Sequence, residues 1–256
     1  MLRTFLIGGF MLLALAAHAA EPRYPHEVAQ WEEVSIPPES SRDARSAWLR
    51  LASFSSYEWR VYTEGAQVYA QHFAGGRSTA RARVYDGGLV GVNNGEFGAA
   101  LNWVSTDGKS SYKISDHQVV DFFSLPDGLY AIEGLAHMWI SRGSVIRIDR
   151  PPPYARWQAA TVTELPSAPY AVSVRRDGTA LITLDRELVQ VDGDRRLTTL
   201  LYDQPWGMLY PNSSVLSPDE QKLYIGMRQF VGEFDIPTRK LRFLIPSASF
   251  LNKHLW

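Results

Sequence analysis

Cysteine is absent from the 256 residues. That absence excludes disulfide scaffolds, thiolate zinc sites, iron–sulfur clusters and cysteine nucleophiles. A surplus of charge of one sign is missing too: 26 Lys and Arg stand against 27 Asp and Glu, a formal net charge of −1. Phosphate binding depends on clustered Lys and Arg that release counterions, so no nucleic-acid partner is expected. Long apolar runs are confined to the first twenty residues. There Arg3 is the only charge, Phe5 to Ala17 is almost wholly apolar, and Ala17-His18-Ala19 forms a small-x-small cleavage site. This layout predicts a signal peptide over residues 1–20, with an apolar run too short to span a membrane comfortably. No later stretch approaches the ~20 apolar residues of a membrane helix, so no span is expected after signal cleavage. The expected location is periplasmic or secreted.

Catalytic signatures are also missing. Asp107-Gly108-Lys109-Ser110 ends like a phosphate loop, but Trp103 stands where its first glycine belongs. No Gly-x-Ser-x-Gly elbow and no His-Glu-x-x-His occurs. His26, His72, His117, His137 and His254 lack ligand spacing, and Asp192-Gly193-Asp194 lacks the further oxygens of a calcium loop. The sequence therefore implies no cofactor, no metal and no catalytic residue.

What is present is strand punctuation. Residues 21–56 read as an extended N-terminal arm rather than a packed element, marked by Pro22, Pro25, Pro37 and Pro38, followed by one short helix over Ser40–Phe54, whose apolar face is Ala44, Ala47, Trp48, Leu51 and Ala52. Residues 57–256 read as short alternating runs between Asp-Gly and Pro-Asp turns, including Trp59–Tyr62, Ala80–Tyr85, Val119–Phe123, Met138–Ile140 and Leu241–Ile245. The turns repeat. Asp86, Asp127, Asp177 and Asp219 anchor equivalent hairpins at intervals of 41, 50 and 42 residues. About four strands per ~40–50 residues is the arithmetic of a β-propeller blade. The fold class expected is all-β, propeller-like with about five blades, and a β-sandwich with recurrent hairpins is the alternative. Such a ring hides its edges by pairing first and last strands, which makes Leu241–Ile245 the expected clasp.

One segment carries more than punctuation. Tyr210-Pro211-Asn212-Ser213-Ser214-Val215-Leu216-Ser217-Pro218-Asp219, continuing to Leu223-Tyr224-Ile225, resembles the blade pattern P-N-x-x-x-x-S-P-D-x-x-x-L-Y-V of gluconolactonase-like and YVTN-type β-propellers. Pro169 to Leu181 is similar in a looser form. The resemblance implies a central channel whose metal and substrate ligands stand seven residues before each turn aspartate. Those positions are Thr79, Val120, Tyr170 and Asn212. Asn212 suits a divalent ion, Val120 cannot coordinate one, and Tyr170 is a poor ligand. A lactonase-like metal-dependent hydrolase is thus the alternative function. The leading reading is a non-catalytic, exported binding protein that docks a protein partner on a propeller face, as an inhibitor or immunity-type protein would; a small-molecule ligand is a second kind of partner. A sensory or scaffold propeller is not distinguished from it. The candidate binding residues are Asn212, Tyr210, Tyr170 and Trp206, with Trp139 as a further aromatic; Asp116 and His117, with Asp121 nearby, form a candidate acid–base pair. Arg142, Arg147, Arg150 and Arg156 around Pro151 form the basic cluster of the chain.

Overall fold

The computed structural model describes residues 26–73, 79–151 and 156–250. The predicted signal peptide lies outside the described residues. Among the described residues nineteen strands form five antiparallel sheets, and each sheet is a sequence-local run of hairpins apart from β1, which joins the last. β2 (Trp59–Glu64) and β3 (Gln67–His72) make the first sheet. The second is β4 (Ala80–Val84), β5 (Gly87–Asn93), β6 (Ala99–Ser105) and β7 (Ser111–Ser115). The third is β8 (Val119–Leu125), β9 (Gly128–His137), β10 (Ile140–Asp149) and β11 (Gln158–Leu165). The fourth is β12 (Pro169–Val174), β13 (Ala180–Leu184), β14 (Leu188–Val191) and β15 (Leu197–Leu201). The fifth is β16 (Ser213–Leu216), β17 (Lys222–Gly226), β18 (Val231–Asp235) and β19 (Lys240–Ile245), with β1 (Glu32–Val34) added outside β19.

The first strands of the sheets pack side by side in the order β4, β8, β12, β16, β2. This is the propeller arrangement: inner strands surround a channel and the later strands of each blade run outward. Apolar side chains accordingly pack between sheets. One core joins the second and third sheets through Leu89, Leu101, Ala131 and Ile146, and another joins the third and fourth through Tyr130, Ile132, Ile182 and Leu184. The largest lies where the first and last sheets meet, with Trp59, Trp206, Phe230, Phe234 and Phe250 at its centre.

The repeated turns clasp neighbouring blades. Asp86 accepts hydrogen bonds from Trp103 of its own sheet at 3.1 Å and from Trp157 and Arg150 beside the third sheet at 3.1 and 2.6 Å. Asp127 accepts from Tyr130 at 2.8 Å and pairs with Arg195 of the fourth sheet. At the Asp177 turn the Arg176 amide donates to Glu220 of the fifth sheet at 3.0 Å.

The N-terminal arm differs from its expected extended, unpacked form. Val28 and Trp31 are buried, the Ala70 amide donates to the His26 carbonyl at 2.7 Å, and β1 pairs with β19 through Val34 and Phe243. The arm therefore runs from the edge of the first blade to the edge of the last. Leu241–Ile245 is paired as the clasp reading expects, but its partner is β1 of the arm rather than the first strand of the propeller, since β2 pairs with β3 alone. The helix α1 (Arg42–Ser53) falls inside the predicted span. Leu49 and Ala52 are its buried residues and Trp48 stacks on Phe230 at 4.8 Å, whereas Leu51 of the predicted face is exposed.

Candidate functional site

The starts of the inner strands surround a cavity of about 800 Å³ at one mouth of the channel. Arg60 of β2, Val119 to Asp121 of β8, Pro169 and Tyr170 of β12, and Asn212 with Ser213 at β16 all face it. Three of the four positions seven residues before a turn aspartate, Val120, Tyr170 and Asn212, line this cavity; Thr79 does not. The spacing fixes the placement because each inner strand runs along the channel from the mouth to its Asp-containing turn.

Asn212 is held by its backbone, whose amide donates to the Gly226 carbonyl at 2.9 Å. Its Oδ1 accepts from the Ser213 hydroxyl at 2.9 Å, while Nδ2 is buried with no partner. The Ser213 Oγ in turn accepts the Val61 amide at 3.0 Å, locking the fifth blade to the first. Beside them Tyr210 sits at φ +50°, a left-handed conformation rare for a bulky side chain. Its ring is 47 % exposed and the Arg228 guanidinium lies 4.2 Å from its centroid. Arg228 is itself fixed, with Nε donating to Glu58 at 2.6 Å and Nη1 donating to the Ser53 carbonyl at 2.9 Å. A cation anchored at two points thus holds an aromatic face at the mouth. Tyr170 lies nearby; burial pushes its phenol well above the ordinary range, helped by Asp185 and Tyr210.

Asp121 and Arg60 complete the polar lining. The Asp121 carboxylate reaches solvent within the cavity, but the surrounding protein displaces water and raises its pKa above the ordinary value. The Phe122 amide, donating at 2.8 Å, and the nearby Arg60 oppose that rise. The Arg60 guanidinium lies 4.3 Å from the centroid of Phe73.

The other predicted residues lie elsewhere. Trp206, expected at the mouth, is 0 % exposed within the core between the first and last blades, so it has no surface with which to grip a ligand. Asp116 and His117 precede β8 and face a separate depression with Glu133 and Arg142. Asp116 pairs with Lys113, and the Nδ1 of His117 lies 2.7 Å from the Ser115 hydroxyl, which satisfies both side chains locally. The arginine cluster is dispersed: Arg142 donates to Gln118, Arg147 pairs with Asp149, Arg150 pairs with Asp86, and Arg156 lies over Tyr112. Among the described residues no group of three His, Asp or Glu side chains is placed to hold a metal ion. Glu58, Arg60 and Arg228 carry no motif in the sequence. They meet at the mouth only because β2 packs beside β16 and the β17–β18 connection folds back onto the end of α1.

A ribbon rises from the cavity wall. β9 and β10 continue pairing beyond β8, from Gly134↔Gly143 to His137↔Ile140. Gly134 and Gly143 face each other because Pro169 seats on them; a Cβ at Gly143 would lie 2.4 Å from the proline Cδ. The predicted strand Met138–Ile140 is instead the tip of this hairpin. Met138 turns at φ +53°, and Trp139 is 86 % exposed between Met138 and Ile140, which are exposed as well. Glu96 pairs with His137 at 2.8 Å, bringing the 85 % exposed Phe97 to the same end.

No family model and no curated protein matches the chain. Solved structures of similar shape include virginiamycin B lyase from Staphylococcus aureus, at 15 % identity and TM-score 0.45, covering 67 % of this chain and 56 % of that one. An auxiliary nutrient binding protein from Bacteroides ovatus is 12 % identical, TM-score 0.42, over 62 % of this chain and 39 % of its own. A Bacteroides uniformis protein provisionally assigned as a 6-phosphogluconolactonase is 11 % identical, TM-score 0.40, over 73 % and 66 %. The chain spans little more than half the length of the lyase. The propeller fold rests on the sheet topology of the chain itself.

Proposed function

We propose that the protein is an exported, non-catalytic binding protein that docks a protein partner on the channel-mouth face, as an inhibitor or immunity-type protein does. The observation that carries this reading is the β9–β10 ribbon. Its tip displays Met138, Trp139 and Ile140 to solvent, with Phe97 tied alongside through the Glu96–His137 pair. Large apolar side chains are seldom displayed together without a partner, and Trp is over-represented among the residues that dominate binding energy. Met138, at φ +53°, occupies the turn of this tight hairpin, which carries the Trp139 side chain out at the tip. The partner this tip suits is a protein with an apolar pocket wide enough for an indole.

Site-specific photo-crosslinking in the producing cell tests the reading. A photoreactive residue at position 139 is expected to give one discrete adduct with another protein, lost when Met138 and Ile140 are both changed to Ser. The same probe at Arg196, on the distant β14–β15 turn, is expected to give none. Equal labelling at both positions, or no adduct at 139, counts against partner docking.

A further inference from the structure

Four charged side chains border the channel cavity, and only two of them neutralise each other. Glu58 and Arg228 are paired at 2.6 Å. Arg60 and Asp121 are not: among the described residues neither forms an ion pair with the other or with a third group. Arg60 rests on the ring of Phe73, and Asp121 accepts one backbone amide, from Phe122. Both line the cavity, and the positive charge of Arg60 works against the rise in the Asp121 pKa. A third group is unfilled as well, the buried Nδ2 donor of Asn212. Arg60 of β2 and Asn212, just before β16, are neighbours, tied by the Val61 amide and the Ser213 hydroxyl at 3.0 Å. The cavity thus offers a cation from β2, a neutral donor just before β16, an anion from β8, and aromatic walls at Tyr170 and Tyr210.

This set discriminates between ligand classes. A simple anion meets Arg60 but is opposed by Asp121. A simple cation meets Asp121 but is opposed by Arg60. An apolar molecule would strip water from Asp121 and leave it and Asn212 unsatisfied. A neutral hydroxylic molecule would leave both charges without an opposite charge. A molecule bearing both charges fills every vacancy with charge-assisted hydrogen bonds.

We infer that the channel cavity is a binding site for a zwitterionic α-amino acid or short peptide. Its carboxylate is received by the Arg60 guanidinium and the Asn212 amide, its ammonium by the Asp121 carboxylate, and its side chain lies against Tyr170 and Tyr210. A cavity of about 800 Å³ exceeds one amino acid and leaves room for a dipeptide. This inference does not rest on partner docking through the ribbon and stands or falls separately from it.

The test uses the purified chain with the twenty free L-amino acids and their glycyl dipeptides, screened by thermal shift and then measured by calorimetry. At least one probe is expected to raise the melting temperature. Its N-acetylated and C-amidated forms are each expected to bind about tenfold more weakly or worse. Arg60→Gln and Asp121→Asn should weaken the same probe to a similar extent, Arg60→Lys should recover part of the loss, and Arg196→Gln, on the distant β14–β15 turn, should bind as the parent does. The inference is overturned if no probe shifts the melting temperature, if capped forms bind as tightly as free ones, or if Arg60→Gln and Asp121→Asn are without effect. The capped-ligand comparison uses the unaltered chain, so it decides the matter even if a variant folds poorly.

Discussion

At Asp121 the fold holds a carboxylate in surroundings that disfavour its charge. Burial raises the pKa above the ordinary aspartate value, so the folded state retains the proton more readily than the unfolded chain. The sign follows: stability is undiminished below the ordinary pKa, falls as pH climbs from that value through the raised one, and stays lower above it. Asp121→Asn is therefore expected to melt higher than the parent at pH 7 and to lose that advantage near pH ~3. Thermal melts across pH check this, and a variant less stable at pH 7 would contradict it. Asp127 behaves oppositely, since the Tyr130 hydroxyl, with Arg195 and Arg147, lowers its pKa. Its stabilisation is present above the ordinary value and is lost as pH falls through the lowered one. One aspartate staples two blades and the other is kept at a strain to face the cavity, although nothing in the residue type separates them.

At the scale of elements, the β9–β10 ribbon depends on the paired glycines beneath it. A Cβ at Gly134 would stand 2.4 Å from the Arg142 carbonyl oxygen and 2.6 Å from the Pro169 Cδ, backbone and ring atoms with little room to yield. Gly134→Ala is expected to destabilise the protein by about 1–3 kcal/mol, the range for overpacking a close-packed site, and to loosen the ribbon from the fourth blade. Denaturant unfolding measures the first effect and hydrogen exchange at the Ala168 amide, which donates to the Ser141 hydroxyl at 3.0 Å, measures the second. Unchanged stability and exchange would mean that the Pro169 seat is dispensable. The same region shows where periodicity misleads. Met-Trp-Ile reads as a strand because three large apolar residues adjoin, yet it is a solvent-facing tip. β7 and β11 escape the pattern for the converse reason: they are outermost strands, one face of each meets water, and Ser111–Ser115 and Gln158–Leu165 are too polar to stand out.

Across the whole molecule, stability converges on the arm that joins the first and last blades. Trp31 packs edge-on against Trp59 at 4.8 Å, and β1 covers the open edge of β19. Trp31→Ala is expected to cost about 3–5 kcal/mol, as other buried Trp truncations do. Removing residues 26–34 would in addition expose β19 as an unpaired edge and promote association. Equilibrium unfolding and light scattering check these outcomes; a Trp31→Ala protein as stable as the parent would show that the strap is ornamental.

The all-β character, the Asp-Gly turns and the period that counts the blades are set by the sequence alone, while the column leading to Val120, Tyr170 and Asn212 came from its resemblance to gluconolactonase-like and YVTN-type propellers. The reason is that turn chemistry and strand alternation act over a handful of residues. Which side chains share the cavity was decided only by tertiary structure. Glu58, Tyr210 and Arg228 come from segments up to 170 residues apart, and Trp206 and Tyr210, four positions apart, part ways, one into the core and one to the mouth. Zero cysteine leaves the chain without covalent staples; packing between neighbouring blades, the turns that bind them and the arm across the seam supply the cohesion instead.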